Sequence, residues 1–378
     1  MTRDAAEPDL SGLEPKKILV IQLRRIGDVL LATPAVELLR RRFPHAELHM
    51  LTEKVCAPVL ENNPNIDHVV VLDKKEHKNP FKAAVFYYGL KKAGYDLVVD
   101  FQQLPRCRYA VLASMAKTRL SIPPRWIFRP LYTHWVKNRD GYAAMAKASL
   151  LRVFGIEWDF EPPRIYLTEE EKSRARRTLE GLGVGESDVL VTLDPTHRRV
   201  TRCWPAQHYA SFVRQCLAAR SDIKFLALAG PGEEDKAREV MHMAGNSDRL
   251  LLPERVLSLR EMAGVIDRAS LHVGNCSAPR HFAAALDTPS LTILGATSPA
   301  WTCPPRPGEP RLHENLAKNL PCQPCNKNEC EFGEPLCLQG LDPRDAAARA
   351  LELLDGTRTR FRTAERIAGK ARPVDKRL

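Results

Sequence analysis

The stretch Lys16–Pro34, KKILVIQLRRIGDVLLATP, constrains the fold of this chain more than any other. Its apolar run Ile18–Ile21 is typical of a buried strand, and it leads through a polar loop with Gly27 into an apolar segment with helical spacing. Strand, glycine-containing turn and helix in this order predict the opening of a doubly wound α/β domain, whose ligands lie beyond the carboxyl ends of the strands. We therefore expect Asp28 near the helix start, on the ligand side. It is either a helix cap, which the local pattern favours, or a general base.

Strands and helices alternate along two successive halves of the chain, which predicts two α/β domains with parallel sheets. Strand patterns in the first half lie at Ile18–Ile21, Ala46–Leu51, Asp67–Leu72 and Leu97–Gln102. The second series starts with a strand at Val189–Leu193, after a proline-containing linker at Glu161–Pro163. We expect a loose leader at residues 1–15, a first Rossmann-like domain at 16–165, a second at 166–355 and a basic tail at 356–378. A cleft between the two domains is the default ligand site.

Charge and composition narrow the class of protein. The chain carries 57 Lys and Arg against 46 Asp and Glu, a formal net charge of +11. This excess is either an ordinary basic surface or a match for anionic substrates or lipid headgroups, and no zinc-finger, RRM-type or helix-turn-helix pattern supports nucleic acid. No apolar run approaches the roughly 20 residues that span a bilayer, and the first residues lack the apolar core of a signal peptide. We therefore expect a cytoplasmic protein.

The segment at residues 119–140 differs from the alternating pattern around it. Prolines interrupt it, and arginines are interleaved with Trp126, Phe128, Tyr132 and Trp135. One interpretation is an irregular surface segment that packs its aromatic rings inward. The other is a basic, aromatic wall for an acidic or amphiphilic acceptor, because aromatic rings beside cations suit sugars and membrane interfaces.

Three loops in the second half follow predicted strands and carry polar side chains. Asp194–Pro205 is rich in hydroxyls and cations, which phosphate binding requires, although it also fits a solvated basic loop. Gly230–Glu234 offers a carboxylate for a ribose or, equally, an acid at a helix N-terminus. Gly274–His281 passes through small residues into an alanine-rich helix, whose free N–H groups would point at an anion. His281 taken alone is more often a packed histidine than a catalyst.

Four of the ten cysteines are grouped as C-x2-C-x4-C-x6-C, at Cys322, Cys325, Cys330 and Cys337. Clustered thiols suit a structural zinc or an iron–sulfur centre. The spacing is not that of a zinc ribbon, so free or oxidised thiols remain the alternative.

The order of these motifs resembles glycosyltransferase family 9, the lipopolysaccharide heptosyltransferases. The matching pieces, over roughly residues 16–350, are RRIGDVLLATPAVELLRRRFPHAELHML, YDLVVDFQ, TRCWPAQHYASF, LALAGPGEE, LSLREMAGVIDRASLHVGNCSAPRHFAAALDTPSLTILGATSPAW and the PCQPC tail. The resemblance implies a GT-B fold, in which two Rossmann-like domains with parallel sheets face each other across a cleft. It implies an acceptor-side first domain and a second domain that binds a nucleotide sugar, ADP-heptose.

The resemblance also implies a reaction and its residues. The transfer inverts the anomeric centre without a metal or other cofactor, and Asp28, by its place in R-I-G-D-V-L, is the general base. The donor-binding positions are Thr196, Thr201, Arg202, Glu234, Cys276, Ser277, Ala278 and His281. Arg24, Arg25, Arg125 and Arg129 are the residues that we expect on the acceptor side. The implied partners are ADP-heptose, a Kdo–lipid A or lipopolysaccharide-core acceptor and the cytoplasmic leaflet of the inner membrane, to which the protein would bind peripherally.

One departure from the family pattern lies at Cys276–Ala278. The family usually reads D-S-G or D-T-G there, and its aspartate is expected to hold the donor sugar. A thiol cannot replace the hydrogen bonds of a carboxylate to sugar hydroxyls, and Arg202 stands where many members have lysine. Two alternatives therefore stay open beside the heptosyltransferase: a catalytically impaired nucleotide-sugar-binding protein, and a member of the family that uses a different donor sugar.

Overall fold

The computed structural model describes residues 7–245, 247–305 and 312–368, with side chains described as far as residue 356. Within these residues the chain divides into two compact units. The first is built on residues 7–171 with the short pieces 284–286 and 300–305, and the second on residues 172–283, 287–299 and 312–368. The predicted leader and basic tail lie partly outside the described residues, at 1–6 and 369–378.

The first unit contains a parallel sheet of six strands. The strands are β1 (Lys17–Ile21), β2 (Glu47–Glu53), β3 (His68–Leu72), β4 (Leu97–Asp100), β5 (Thr118–Ser121) and β6 (His134–Trp135). The helices are α1 (Ile26–Leu30), α2 (Thr33–Arg42), α3 (Pro80–Lys92), α4 (Pro105–Ser114) and α5 (Ala143–Ala148). The sheet order is β3-β2-β1-β4-β5-β6 with every pairing parallel. This is the strand order of a Rossmann fold, and it confirms the predicted α/β class.

The segment after Gly27 forms two helices, whereas its apolar spacing predicted one. α1 ends at Leu30, and α2 begins at Thr33 with Pro34 as its second residue. Proline lacks an N–H group and is tolerated only in the first turn of a helix, so a new helix starts here. The Thr33 hydroxyl donates to the Leu30 carbonyl at 2.8 Å across the break. The short α1 leaves Asp28 within one turn of both helix ends.

The helix α6 (Glu169–Gly181) leads from the first unit to the second, which repeats the same topology. Its strands are β7 (Val189–Asp194), β8 (Ile223–Ala227), β9 (Leu250–Leu251), β10 (Leu271–Asn275), β11 (Ser290–Leu294) and β12 (His313–Ala317). The helices are α7 (Ala206–Ala219), α8 (Glu234–Ala244), α9 (Leu259–Arg268), α10 (Ala278–Ala285), α11 (Pro299–Thr302), α12 (Leu336–Gln339) and α13 (Pro343–Ala368). The sheet order β12-β11-β10-β7-β8-β9, again all parallel, is the Rossmann order in its second occurrence. α13 keeps the backbone of the predicted tail helical as far as Ala368.

The two faces of the second sheet differ in chemistry. On one face Val191, Leu193, Val273 and other apolar residues join a hydrophobic core with side chains of α7, α8 and α13. Alternate residues point to the opposite face, because side chains alternate along a strand. They include the polar residues Thr192, His272, Ser290 and Thr292 beside apolar ones such as Leu190 and Leu226, all fully buried. The polar side chains of this face are hydrogen-bonded to one another, as between Thr192 and His272 Nδ1 at 3.1 Å.

None of the helices in the described part of the chain combines the length and the apolar character that crossing a bilayer requires.

Candidate active site

Asp28 is the third residue of α1 and lies beyond the carboxyl end of β1, as the sequence predicted. Its Oδ2 accepts a hydrogen bond from the backbone N–H of Arg25, the residue that precedes the helix, at 3.3 Å. A carboxylate at this position satisfies one of the free donors of the helix start. About a third of the side chain, 36 %, is exposed. Asp28 therefore helps to cap α1 and still presents a carboxylate oxygen to solvent, so the two sequence-based interpretations are compatible.

Lys147 lies beside Asp28 although the two residues are far apart in sequence. Its Nζ is 3.9 Å from Asp28 Oδ1, and only 11 % of its side chain is exposed. Burial lowers the pKa of Lys147, while the nearby charge of Asp28 acts to raise it. The site thus contains a buried amine that the sequence analysis did not identify.

The predicted acceptor-side arginines lie on the first unit. Arg24 and Arg25 are exposed in the loop between β1 and α1, and Arg125 is exposed after β5. The carboxyl ends of β1, β4 and β5 are adjacent in the sheet, which puts these loops on the same edge. Arg129 is exposed, and its guanidinium lies 5.7 Å from the centre of the Trp135 ring.

The aromatic side chains of residues 119–140 divide between the two interpretations. Tyr132 packs inward and is 4 % exposed, whereas Trp126 is 76 % exposed. Phe128 packs against the guanidinium of Arg108, which lies 3.5 Å from the ring centre. The inward interpretation holds for Tyr132, and a basic surface with exposed rings remains around Trp126 and Arg129.

In the second unit the ends of β7 and β10 meet at a group of hydroxyls and carboxylates. Asp194 ends β7, is almost fully buried and accepts a hydrogen bond from the Ser277 hydroxyl. Thr196 donates its hydroxyl hydrogen to Glu233 Oε2 at 3.2 Å. Burial and the charge of Glu233 raise the pKa of Asp194 to about 7, against the hydrogen bond from Ser277. The sequence analysis did not assign Asp194 to this group of the second unit.

Arg202, Cys276, Arg280 and His281 form a cationic group around the first turn of α10. Arg280 is fully buried, and its Nε donates to Thr292 Oγ1 at 3.0 Å. Among the described residues its Nη1 and Nη2 have no partner, and neither do the buried Arg202 Nε and His281 Nδ1.

Within this group the arginines are charged, whereas Cys276 and His281 are not. Burial raises the pKa of the Cys276 thiol, although the charges of Arg280 and Arg202 act to lower it. Burial, with the charge of Arg280 in addition, lowers the pKa of His281 to about 3. The thiol and the imidazole are therefore uncharged at neutral pH. Two guanidinium groups beside neutral partners make a site that favours an anion.

The side chains of Thr201, a predicted donor residue, and of Asn275, which was not assigned, are engaged within the protein. The Thr201 hydroxyl donates to the carbonyl of Lys327 at 2.9 Å, so it is occupied in the absence of a ligand. Asn275, fully buried, accepts from the Trp204 N–H at 3.0 Å and donates to the carbonyls of Asp194 and Thr196 at 3.3 and 3.2 Å. This amide joins the loop after β7 to the loop after β10. Ala278 is the first residue of α10.

Glu234 lies apart from this group, at the first position of α8. It borders a hollow whose wall is mainly apolar, although Glu254 and Arg255 also line it. The apolar part includes Ala227, Leu228, Leu252, Val256, Leu257 and Met262. Arg238 lies on the same border. The hollow follows the carboxyl ends of β8 and β9, where ligands of such sheets bind.

The four grouped cysteines do not form the metal site for which their spacing was considered. Within the described residues no group of three or more His, Cys, Asp or Glu side chains is arranged to hold a metal ion. The thiols of Cys322, Cys325 and Cys330 still raise the pKa of Cys337 through their charge, after burial. They therefore share one locality, and all four are free thiols.

The chain is similar to proteins of a known family. The model of glycosyltransferase family 9 (heptosyltransferase) matches residues 85–335. Lipopolysaccharide heptosyltransferase 3 of Escherichia coli is 28 % identical over 286 residues, which cover 73 % of this chain and 82 % of that protein.

Solved structures share the fold across nearly the whole chain. A family 9 glycosyltransferase from Veillonella parvula superposes with a TM-score of 0.78 at 22 % identity, over 90 % of this chain and 98 % of its own. E. coli heptosyltransferase WaaC with ADP-2-deoxy-2-fluoro heptose superposes with a TM-score of 0.65 at 18 % identity, over 89 % of this chain and 98 % of its own.

Proposed function

The chain belongs to glycosyltransferase family 9, and we propose that it transfers a heptose or a related sugar from a nucleotide sugar to the inner core of lipopolysaccharide. The enzyme class, a glycosyltransferase, follows from the family and agrees with the GT-B fold of the chain. ADP-heptose is the donor that we propose to test first, because one structural neighbour holds an ADP-heptose analogue. The relative of this chain from E. coli is named a lipopolysaccharide heptosyltransferase.

We propose that Asp28 is the general base. Its carboxylate takes the proton of an acceptor hydroxyl while that oxygen attacks the anomeric carbon of the donor sugar. The bond from this carbon to the diphosphate breaks, its electron pair leaves with ADP, and the configuration inverts. General base catalysis contributes roughly 10²–10⁴-fold. The partly exposed carboxylate at the carboxyl edge of the first sheet supports this role.

The cationic group of the second unit is the observation that carries the proposal. A leaving diphosphate gains negative charge as the bond breaks, and fixed cations lower the energy of that transition state. Arg202 and Arg280 carry buried N–H groups that have no partner among the described residues. The first turn of α10 adds free backbone N–H groups. We propose that these groups bind the diphosphate, with Ser277, Ala278 and His281 along the sugar.

We propose that the nucleoside lies over the mouth of the hollow beside Glu234. Its apolar wall suits the faces of a purine ring, and the Glu234 carboxylate can accept hydrogen bonds from the two ribose hydroxyls. In this arrangement Thr196 and Thr201 lie on the diphosphate side of the ligand.

For the acceptor we propose the exposed arginines of the first unit. Arg24, Arg25 and Arg125 can pair with the carboxylates and phosphates of a Kdo–lipid A acceptor. The exposed ring of Trp126 and the pair of Arg129 with Trp135 suit a lipid–water interface. With the net charge of +11, these features support peripheral binding to the anionic cytoplasmic leaflet of the inner membrane.

The test compares Asp28→Asn with the wild type and with Asp73→Asn, a matched control on the same unit. Asparagine keeps an oxygen that can accept from the Arg25 N–H, so the helix start is preserved. We expect Asp28→Asn to lose turnover by about 10²–10⁴-fold, and Asp73→Asn to retain it. Titration calorimetry with ADP should give nearly the same affinity for all three proteins.

The outcomes separate the alternatives. Turnover that survives in Asp28→Asn would falsify the general-base assignment. A wild type that binds ADP and ADP-heptose but forms no product with several truncated lipopolysaccharides favours the non-catalytic binding protein. Product with another nucleotide sugar, and none with ADP-heptose, identifies a different donor.

A further inference from the structure

The loop that joins β1 to Asp28 is held by a side chain from a different strand end. Gln102 Oε1 accepts hydrogen bonds from the backbone N–H groups of Leu23 and Arg24, each at 3.2 Å. Its Nε2 donates to the Arg24 carbonyl. One carboxamide therefore binds three backbone groups of two successive residues, much as a neighbouring strand would.

Gln102 is itself fixed by a buried carboxylate. Asp100, which ends β4, is fully buried and accepts from the backbone N–H groups of Gln102 and Gln103 at 2.9 and 3.0 Å. The hydroxyl of Tyr132 donates to its other oxygen at 2.7 Å. The backbone from which the Gln102 side chain extends is therefore fixed, which limits where its carboxamide can lie.

The hydrogen bonds continue from this loop to Asp28. Arg24 is followed by Arg25, whose backbone N–H donates to Asp28 Oδ2 at 3.3 Å. The geometry points to Gln102 as a positioning residue that sets the orientation of the Asp28 carboxylate through the backbone of residues 23–25. The role of Asp28 in catalysis rests on the proposed function, whereas the connection of Gln102 to the loop does not.

Positioning of this kind affects rate more than binding or stability. A displacement of about 1 Å at a reacting group can cost about 10²-fold in rate. The loop keeps other anchors, because Gln22 Nε2 also donates to the Arg24 carbonyl at 2.8 Å. Loss of the Gln102 carboxamide should therefore leave the loop folded but less well fixed.

The neighbouring Gln103 provides a matched control. It follows the same strand and is held by the same Asp100 carboxylate, but its side chain donates to Ser121 Oγ at 3.0 Å and to the Ile122 carbonyl at 2.5 Å. Gln102→Leu and Gln103→Leu thus remove equivalent carboxamides from one short segment. Only the first of them touches the loop that precedes Asp28.

The experiment measures kinetics and hydrogen–deuterium exchange on both variants and on Gln102→Glu. With ADP-heptose and heptose-deficient lipopolysaccharide, Gln102→Leu should lower kcat about 10- to 100-fold with KM for the donor within about threefold. Gln103→Leu should stay within about threefold of the wild type. Gln102→Glu keeps an acceptor for the two N–H groups, so its kcat should lie between those of the wild type and Gln102→Leu.

Exchange gives a readout that does not depend on turnover. Peptides covering residues 22–30 should exchange faster in Gln102→Leu than in Gln103→Leu, with melting temperatures within a few degrees of each other. Equal exchange in Gln102→Leu and Gln103→Leu refutes the positioning role. Equal kcat values of these two variants, when the wild type is active, also refute it. If Gln102→Leu exchanges faster but the wild type forms no product, the connection of Gln102 to the loop is supported and the proposed function is refuted.

Discussion

Replacement of Asp194 by asparagine should make the second unit more stable at alkaline pH. Burial is the main reason that the pKa of Asp194 is about 7 in the folded protein, against a value of 3.8 for the unperturbed side chain. Between these two values the folded state holds a proton that the unfolded state has released. The free energy of unfolding therefore falls as pH rises from about 4 to about 7, and the loss is complete above pH 7.

The size of this effect follows from the two pKa values. A tenfold difference in acidity between the folded and unfolded states corresponds to about 1.4 kcal/mol, so a rise in pKa from 3.8 to about 7 costs about 4 kcal/mol at pH 8. Asparagine resembles the protonated acid in shape and still accepts the hydrogen bond from Ser277. Asp194→Asn should thus match the wild type within about 1 kcal/mol at pH 4 and exceed it by several kcal/mol at pH 8.

Urea unfolding at pH 4 to pH 8 provides the assay, with hydrogen exchange on peptides of β7 and β10 as the reporter of the second unit. Asp188→Asn is the control, because its hydrogen bond with Lys224 lowers the pKa of Asp188 and confines its pH effect to the acid range below about 4. Its difference from the wild type should be constant from pH 5 to pH 8. A constant difference for Asp194→Asn over the range from pH 4 to pH 8 contradicts the reasoning.

Two further substitutions test the charged groups of each unit. In the first, Lys147→Met should lower kcat about fivefold, because an ammonium 3.9 Å from Asp28 is worth about 1 kcal/mol after solvent screening. Lys147→Arg should retain most of the activity, and an unchanged rate in Lys147→Met counts against the pairing. In the second, Arg280→Met should raise the free energy of unfolding of the ligand-free protein by about 1–3 kcal/mol, because it removes an unpaired buried charge. The same variant should bind ADP at least about tenfold more weakly by calorimetry, and a loss of stability with unchanged ADP affinity refutes the anion site.

Local sequence signals predicted the elements that position Asp28. The apolar run of β1, Gly27 and the following helical spacing depend on neighbours within a few residues, so the strand and the helix start could be predicted. The apolar spacing does not show the break between α1 and α2, because it continues across the break, although Pro34 marks the start of α2.

The contacts around the site could not be predicted in the same way. Lys147 reaches Asp28 from a helix far along the chain, and no local pattern distinguishes it from other lysines. No local pattern marks Arg280, whose significance lies in its complete burial and in two guanidinium nitrogens that have no partner among the described residues. For the four cysteines the spacing left a metal site and free thiols open, and no metal-holding group is found among the described side chains. Burial and long-range pairing are properties of the folded chain.

The unequal faces of the second sheet have a consequence for the order in which that unit assembles and opens. The face covered by α7, α8 and α13 can close by hydrophobic collapse. The face with Thr192, His272 and Thr292 also buries apolar side chains such as Leu190 and Leu226, but its layer contains the Arg280 guanidinium, two of whose nitrogens have no partner among the described residues. A buried polar group without a partner costs stability, so we expect this layer to open first. An anion bound there supplies hydrogen-bond acceptors for the guanidinium of Arg280 and so stabilises the folded layer. Ligand binding and local unfolding of this layer are then linked, because an anion that binds only the closed layer stabilises it against opening.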